Sequence, residues 1–150
     1  MPRTLILKVM RAEGCEDLPL PQQMTAGAAG LDLPAAVARP TVLRPRQIML
    51  VPCGFHMAVP RGYEAQVRPR SGLASKYGIT LINAPGTIDS DYRGQVMVPL
   101  INLGPKPFKL TRGMRIAQML ICPTPRVKVV QVDSLDSTAR GHGGFGHSGH

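Results

Sequence analysis

The stretch NAPGTIDSDYRGQVMVPLINL, Asn83 to Leu103, decides the fold. Turn formers open it, Asn83-Ala84-Pro85-Gly86. A loop from Thr87 to Gly94 follows, and an apolar strand from Val96 to Leu103 closes it. Asp89, Asp91, Tyr92 and Arg93 therefore sit on a constrained loop between strands, where a scaffold can aim them. The chain has nine Asp plus Glu in all, so two within three residues raise a functional question.

The same grammar runs outward in both directions. Thr4 to Val9 (TLILKV) has strand composition. Pro40 and Pro45 confine Arg39 to Arg46 to a turn or an edge segment. Ile48 to Val59 is an apolar run interrupted by Pro52 and Gly54, which predicts two short strands or one bulged strand. Tyr63, Ala65 and Val67 alternate with Glu64, Gln66 and Arg68, the pattern of a half-buried strand. Ser71 to Tyr77 suits one short helix, capped by Ser71 and ended by Gly78. Ile79 to Ile82, Phe108 to Leu110, Ile116 to Cys122 and Val127 to Val132 read as further short strands. Short strands, Pro and Gly turns and no long amphipathic helix predict an all-β sandwich, jelly roll or barrel.

The chain has 150 residues, the size of one domain with a real core. Aromatics make up 4% and Trp is absent, so Val, Ile, Leu, Met and Ala must build that core. No apolar run approaches the roughly 18 to 20 residues of a membrane span. The N-terminus lacks a small-residue cleavage site after its apolar run, so no signal peptide is expected. Cys15, Cys53 and Cys122 fit no zinc spacing and are odd in number, which favours a reduced, cytoplasmic setting. The net charge of +9 favours polyanionic partners, but the basic residues are scattered, and general solubility explains them as well.

Five places could carry chemistry. Arg70-Ser71-Gly72 offers a guanidinium, a hydroxyl and backbone N–H groups to an anion; an ordinary helix start with a surface arginine is the plainer reading. From Arg140 the tail reads RGHGGFGHSGH, with five glycines in eleven residues. Phe145 could stack on a base and Arg140 could clamp a phosphate if the tail closes as a lid; the plainer reading is a loose end. Its His142, His147 and His150 have no accompanying Cys or carboxylate, which argues against a metal site. Asp89, ionised at neutral pH, could accept a proton from water, whereas Asp91 suits a turn-organising role. Asp32 either orients a site group or caps a turn. Gln118 stands out in an apolar strand and either faces solvent or reaches a site.

The order and spacing of these segments are specific. AGLDL at 29–33, RPRSGLASKYGI at 68–79, NAPGTIDSDYRGQV at 83–96, RGMRIAQML at 112–120 and RGHGGFGHSG at 140–149 resemble the five motifs of the trimeric deoxyuridine triphosphate nucleotidohydrolases (dUTPases). The resemblance implies a distorted jelly-roll or β-clip barrel with one short helix, spanning residues 1–139, and a flexible glycine-rich C-terminal lid at 140–150. It implies a homotrimer with sites shared between subunits, in which the second and fourth motifs, the third motif and the tail come from different chains. The implied activity is hydrolysis of dUTP to dUMP and pyrophosphate, which limits uracil in DNA and supplies the dTMP precursor.

By the same resemblance, Asp89 activates the water that attacks the α-phosphorus. Arg70, Ser71, Gly72 and Gln118 bind phosphates. Asn83, Thr87, Ile88 and Met97 form the uracil and deoxyribose pocket, and Tyr92 lies under the sugar and excludes a 2′-hydroxyl. Phe145 stacks on uracil, Arg140 reaches the γ-phosphate, and Asp32 supports the site. The implied cofactor is Mg2+, carried by substrate phosphates and waters with no direct protein ligand, a mode that suits this ion. No membrane and no stable nucleic-acid partner are expected.

One position departs from the pattern. The fourth motif usually has Asp or Glu before Arg-Ile-Ala-Gln, and here it has Met114, so a charge that would orient neighbouring arginines is missing. Two rival functions fit the sequence less well. A dCTP deaminase, which shares the fold, needs a glutamate near the base-binding strand, and GQVMVPLIN after the third motif has none. A basic nucleic-acid-binding module lacks clustered aromatics for stacking.

Overall fold

The computed structural model describes residues 4–146. It contains ten strands and one helix among them: β1 (Lys8–Arg11), β2 (Leu31–Pro34), β3 (Thr41–Leu43), β4 (Ile48–Ala58), β5 (Tyr63–Pro69), α1 (Ser71–Tyr77), β6 (Ile79–Leu81), β7 (Gly86–Ile88), β8 (Gln95–Asn102), β9 (Phe108–Leu110) and β10 (Arg115–Pro123). The expected all-β class therefore holds. The strands form one antiparallel sheet ordered β1-β4-β8-β6, a second ordered β2-β10-β5-β7, and a small β3-β9 ribbon. Both larger sheets keep free edges, so no closed barrel forms among the described residues.

Alternation builds the core. Val51, Phe55, Val98 and Leu100 point inward from the first sheet, and Leu33, Ala65, Val67, Ala117 and Met119 from the second. Phe55 is the one buried aromatic among the described residues, as the composition requires. Full burial of each larger side chain stabilises the fold by about 1.5–3 kcal/mol.

Ile48 to Val59 is one bulged strand. Between the pairs Pro52↔Met97 and His56↔Gln95, β4 advances four residues while β8 steps back two. Gly54 occupies this bulge at φ +78°, with Cys15, Leu18 and Ala36 so close that a Cβ there would press on all three. Asn102 is the buried polar residue at the end of β8. Its amide donates to the Leu43 and Lys106 carbonyls at 2.9 and 2.8 Å, and its Oδ1 accepts from Gly104 N–H at 2.9 Å.

Three local expectations are corrected. The first strand begins at Lys8, and Thr4 to Leu7 pairs with nothing among the described residues. Ser71 does not cap α1: Arg70 is the N-cap, in extended conformation and without a side-chain cap bond, and Ser71 is the first helical residue. Gly78 does end the helix, in the left-handed region at φ 69°. Val127 to Val132 forms no strand, and its four valines are exposed. Among the described residues, regular structure stops at Pro123.

Candidate active site

The second sheet carries strands of four of the five motifs and brings the first, second and fourth together around Asp32. β10 lies between β2 and β5, so Gln118 pairs with Asp32 on one side and with Arg68 on the other. The chain leaves β5 at Pro69 and delivers Arg70 to the same edge. Asp32 there meets two guanidiniums, with Arg70 Nε 3.6 Å from Oδ1 and Arg115 Nη1 3.1 Å from Oδ2. Arg70 Nη1 also donates to the Arg115 carbonyl at 3.0 Å, and Gln118 Nε2 donates to the Pro69 carbonyl at 2.9 Å. One carboxylate against two guanidiniums leaves this cluster with net positive charge. Arg68 adds another exposed cation and lines, with Asp32 and Gln118, a depression of about 380 Å³. Such a surface attracts a polyanion. Ser71 and Gly72 follow directly, both exposed.

The structure also accounts for Met114. Its side chain packs against the hydrophobic core, and its carbonyl accepts from Ala35 N–H at 2.8 Å. The carboxylate that orients the arginines comes from β2, as Asp32. Arg115 is a further member of this cluster that the sequence alone does not single out. Its place within RGMRIAQML was the available signal; its ion pair depends on strand pairing that the motif alone does not reveal.

A separate cavity of about 200 Å³ opens at the third motif. Thr87, Ile88, Asp89, Tyr92, Val96 and Met97 line it. β7 holds Thr87 and Ile88 through its pairing with β5, opposite Gln66 and Ala65. The turn from Asp89 to Gly94 is organised from within. Tyr92 N–H donates to the Asp89 carbonyl at 3.2 Å. The Arg93 guanidinium donates to the Ser90 and Tyr92 carbonyls, both at 2.8 Å, and the Tyr92 hydroxyl donates to the Gln95 carbonyl at 3.0 Å. The Tyr92 ring folds over Gly94, where a Cβ would overlap its hydroxyl and ring carbon. Asn83 lies outside the cavity lining, with its amide beside Gly86.

None of Asp32, Arg70, Arg115 and Gln118 lines the cavity that holds Asp89 and Tyr92. The chain thus carries a cationic half and a pocket half. The described tail touches neither through hydrogen bonds. Arg140 Nε donates to the Gly143 carbonyl at 2.7 Å, Gly141 N–H bonds to Thr138, and Phe145 is fully exposed. His142 is exposed, while His147 and His150 lie outside the described residues. No group of three or more His, Cys, Asp or Glu side chains among the described residues is placed to hold a metal.

An apolar face flanks the pocket half. Met10, Ile48, Leu50 and Ile82 are exposed on or beside the outer face of the first sheet. Strand register sets Leu50 opposite Pro99 and Pro52 opposite Met97 on that face.

The dUTPase family model matches residues 16–149. The deoxyuridine 5'-triphosphate nucleotidohydrolase of Caulobacter vibrioides (strain NA1000 / CB15N) is 54% identical over 151 residues, covering 99% of this chain and 97% of that protein. That of Thermoanaerobacter sp. (strain X514) is 51% identical over 146 residues, covering 97% and 99%. Among solved structures, the Staphylococcus bacteriophage 80alpha dUTPase with dUPNHPP superposes with a TM-score of 0.87 at 24% identity, over 98% of this chain and 100% of that one. A mutant dUTPase from phage phi11 of S. aureus, described for its coordination of a structural Mg(II) ion, gives a TM-score of 0.78 at 21% identity, covering 89% and 100%.

Proposed function

The chain belongs to the dUTPase family, and from that premise we propose that it hydrolyses dUTP to dUMP and pyrophosphate at sites shared between the copies of a homotrimer. The observation that carries the reading is the division of one chain into two half-sites. The Asp32–Arg70–Arg115 cluster with Gln118 suits a triphosphate. The cavity of Thr87, Ile88, Asp89, Tyr92 and Met97 suits a deoxyuridine and a water beside it. Neither half is a complete site, and a neighbouring copy supplies the complement.

In this reading the pocket half binds the nucleoside of dUTP, and Asp89 faces a water at the α-phosphorus. The water oxygen forms the new P–O bond as Asp89 takes its proton. The bond from the α-phosphorus to the bridging oxygen breaks, and pyrophosphate leaves with that oxygen. Arg70, Ser71, Gly72 and Gln118 of another copy hold the phosphates, and Asp32 keeps the two guanidiniums aimed. Catalysis is then mostly positioning and charge stabilisation. Tyr92, held by Gln95 and packed on Gly94, is the wall under the deoxyribose. Asn83 closes the uracil end, and residues 140–150 of a third copy bring Phe145 onto the base and Arg140 onto the γ-phosphate, apart from the 1–139 body.

Mg2+ enters with the substrate. The described residues offer it no carboxylate cage, and this ion commonly takes phosphate oxygens and waters instead. The apolar outer face of the first sheet, with Ile48 and Leu50, is the trimer contact. Three free cysteines accord with a cytoplasmic setting. No helix among the described residues is long and apolar enough to cross a membrane.

The test is pyrophosphate release from Mg2+ complexes of dUTP, dCTP, dTTP and UTP. Fast turnover of dUTP alone is expected. Comparable rates with dCTP or UTP would overturn the pocket assignment.

A further inference from the structure

Residues 89–94 carry the proposed base and the proposed sugar wall, yet their side-chain bonds are almost all internal to the turn. Among the described residues, one side-chain hydrogen bond reaches them from another strand. His56 on β4 places Nδ1 2.9 Å from the Arg93 carbonyl oxygen. We propose that His56 is a positioning residue that clamps the Asp89–Gly94 turn and thereby sets the discrimination between deoxyribose and ribose. The proposal rests on the reading of Tyr92 as the wall under the sugar.

The geometry is built by the fold. The two extra residues of the β4 bulge let His56 stand opposite Gln95, the residue whose carbonyl receives the Tyr92 hydroxyl. Bulges re-aim side chains in this way beside functional sites. Gly54 makes the bulge, and its crowded left-handed backbone is poorly replaced by any other residue. Arg93 then links clamp to wall. Its carbonyl is held by His56, while its guanidinium holds the Ser90 and Tyr92 carbonyls. Releasing the Arg93 carbonyl would free the segment on which the Tyr92 ring rests.

A carbonyl oxygen only accepts, so the proton in this bond belongs to His56 Nδ1. The neutral ring with its hydrogen on Nδ1 and the imidazolium both donate there. Lys8 and Arg93 line the groove around the imidazole, and no carboxylate does.

The experiment compares the wild-type chain with His56→Leu and His56→Asn. Leucine removes the donor, and asparagine keeps an amide N–H near the position of Nδ1. Two readouts are taken on chains shown by sedimentation to have the wild-type assembly. The first is amide hydrogen exchange in the peptide covering residues 89–95. His56→Leu should speed it by roughly three- to tenfold, the scale of one lost hydrogen bond, and His56→Asn should return it towards wild type. The second is kcat/KM for dUTP and for UTP. His56→Leu should narrow the preference for dUTP by a similar factor, and His56→Asn should restore it. Unchanged exchange in His56→Leu overturns the clamp. Faster exchange with an unchanged dUTP-to-UTP ratio overturns its role in discrimination. Failure of His56→Asn to restore either readout would make the effect one of packing, which also overturns the proposal. Equal turnover of dUTP and UTP by the wild-type chain would instead remove the reading of Tyr92, and the exchange comparison would still decide the clamp.

Discussion

Arg70 donates from Nη1 to the main-chain carbonyl of Arg115 at 3.0 Å, which locks the second motif to the fourth across β5 and β10. The same guanidinium reaches Asp32 through Nε. A planar fork can serve a carbonyl, a carboxylate and a phosphate together; an ammonium cannot. Arg70→Lys should therefore lower kcat/KM for dUTP by about 10²- to 10³-fold, the cost of one misplaced charge-stabilising donor. The pair with Asp32 is partly exposed, so folding stability should fall by less than about 1 kcal/mol. Kinetics and thermal melts on the same preparation check both. Near-normal turnover would remove Arg70 from the phosphate site.

Separation of the two half-sites makes a mixing experiment decisive. Asp89→Asn removes the proposed base and should cost about 10²- to 10⁴-fold in kcat. Arg70→Ala cripples the other half. If sites form between copies, chains of the two variants refolded together should recover a fraction of wild-type turnover, because some sites draw Asp89 from one chain and Arg70 from another. Sites complete within one chain would give no recovery.

The apolar outer face should control assembly. Leu50 lies opposite Pro99 and is 59% exposed in the single chain, so a charge there is tolerated by the fold. In a subunit interface it would be buried without a partner, at a cost of several kcal/mol. Leu50→Glu should give a folded monomer by sedimentation, with dUTP turnover near background. A trimer of wild-type stability would move the interface elsewhere.

Sequence legibility followed the range of the interactions involved. Tyr63 to Val67 was readable because alternation is local, and its buried Ala65 and Val67 face the core. The helix end at Gly78 was readable because left-handed backbone favours glycine. The Asp32–Arg115 pair spans 83 residues and exists through the register of β2 against β10, which neither motif contains. Ser71 looked like a cap because of its residue type, but the chain turns into the helix one residue earlier, at Arg70. Val127 to Val132 has strand composition and no strand to pair with in one chain, and composition alone cannot supply a ladder.

Arg112 and Asp17 form the third ion pair among the described residues, with Arg112 Nη2 2.7 Å from Asp17 Oδ1 and Nε 2.8 Å from Oδ2. The hydrogen bonds from Arg112 hold the Asp17 carboxyl below its ordinary range. A depressed carboxyl contributes stability above its unfolded pKa, and loses it as pH falls through the folded value. Wild type should thus melt above Asp17→Asn at pH 7. The gap should shrink as pH falls below the ordinary carboxyl pKa of about 3.9 and the carboxyl takes up its proton. Melting curves across that range check it. Equal melting temperatures at pH 7, or a gap that persists at low pH, would show that the pair does not act through this charge.

Asn102 offers the sharpest stability test, because its three hydrogen bonds gather separate segments around one fully buried amide. It ties Leu43 at the end of β3, Lys106 in the turn before β9, and Gly104 between them. Its backbone joins the same knot, accepting from Arg46 N–H at 2.7 Å. Asn102→Ala would strip partners from two carbonyls and one N–H. Each buried group left unsatisfied costs about 1–3 kcal/mol, and a water entering the space would recover part of it. A loss of about 3 kcal/mol in denaturant unfolding is expected on that basis. Asn102→Asp tests the donors specifically. It keeps the volume and the acceptor for Gly104, yet sets a carboxylate against the Leu43 and Lys106 carbonyls, so it should be at least as damaging as alanine. If aspartate were tolerated, the amide donors would not be what holds this corner together.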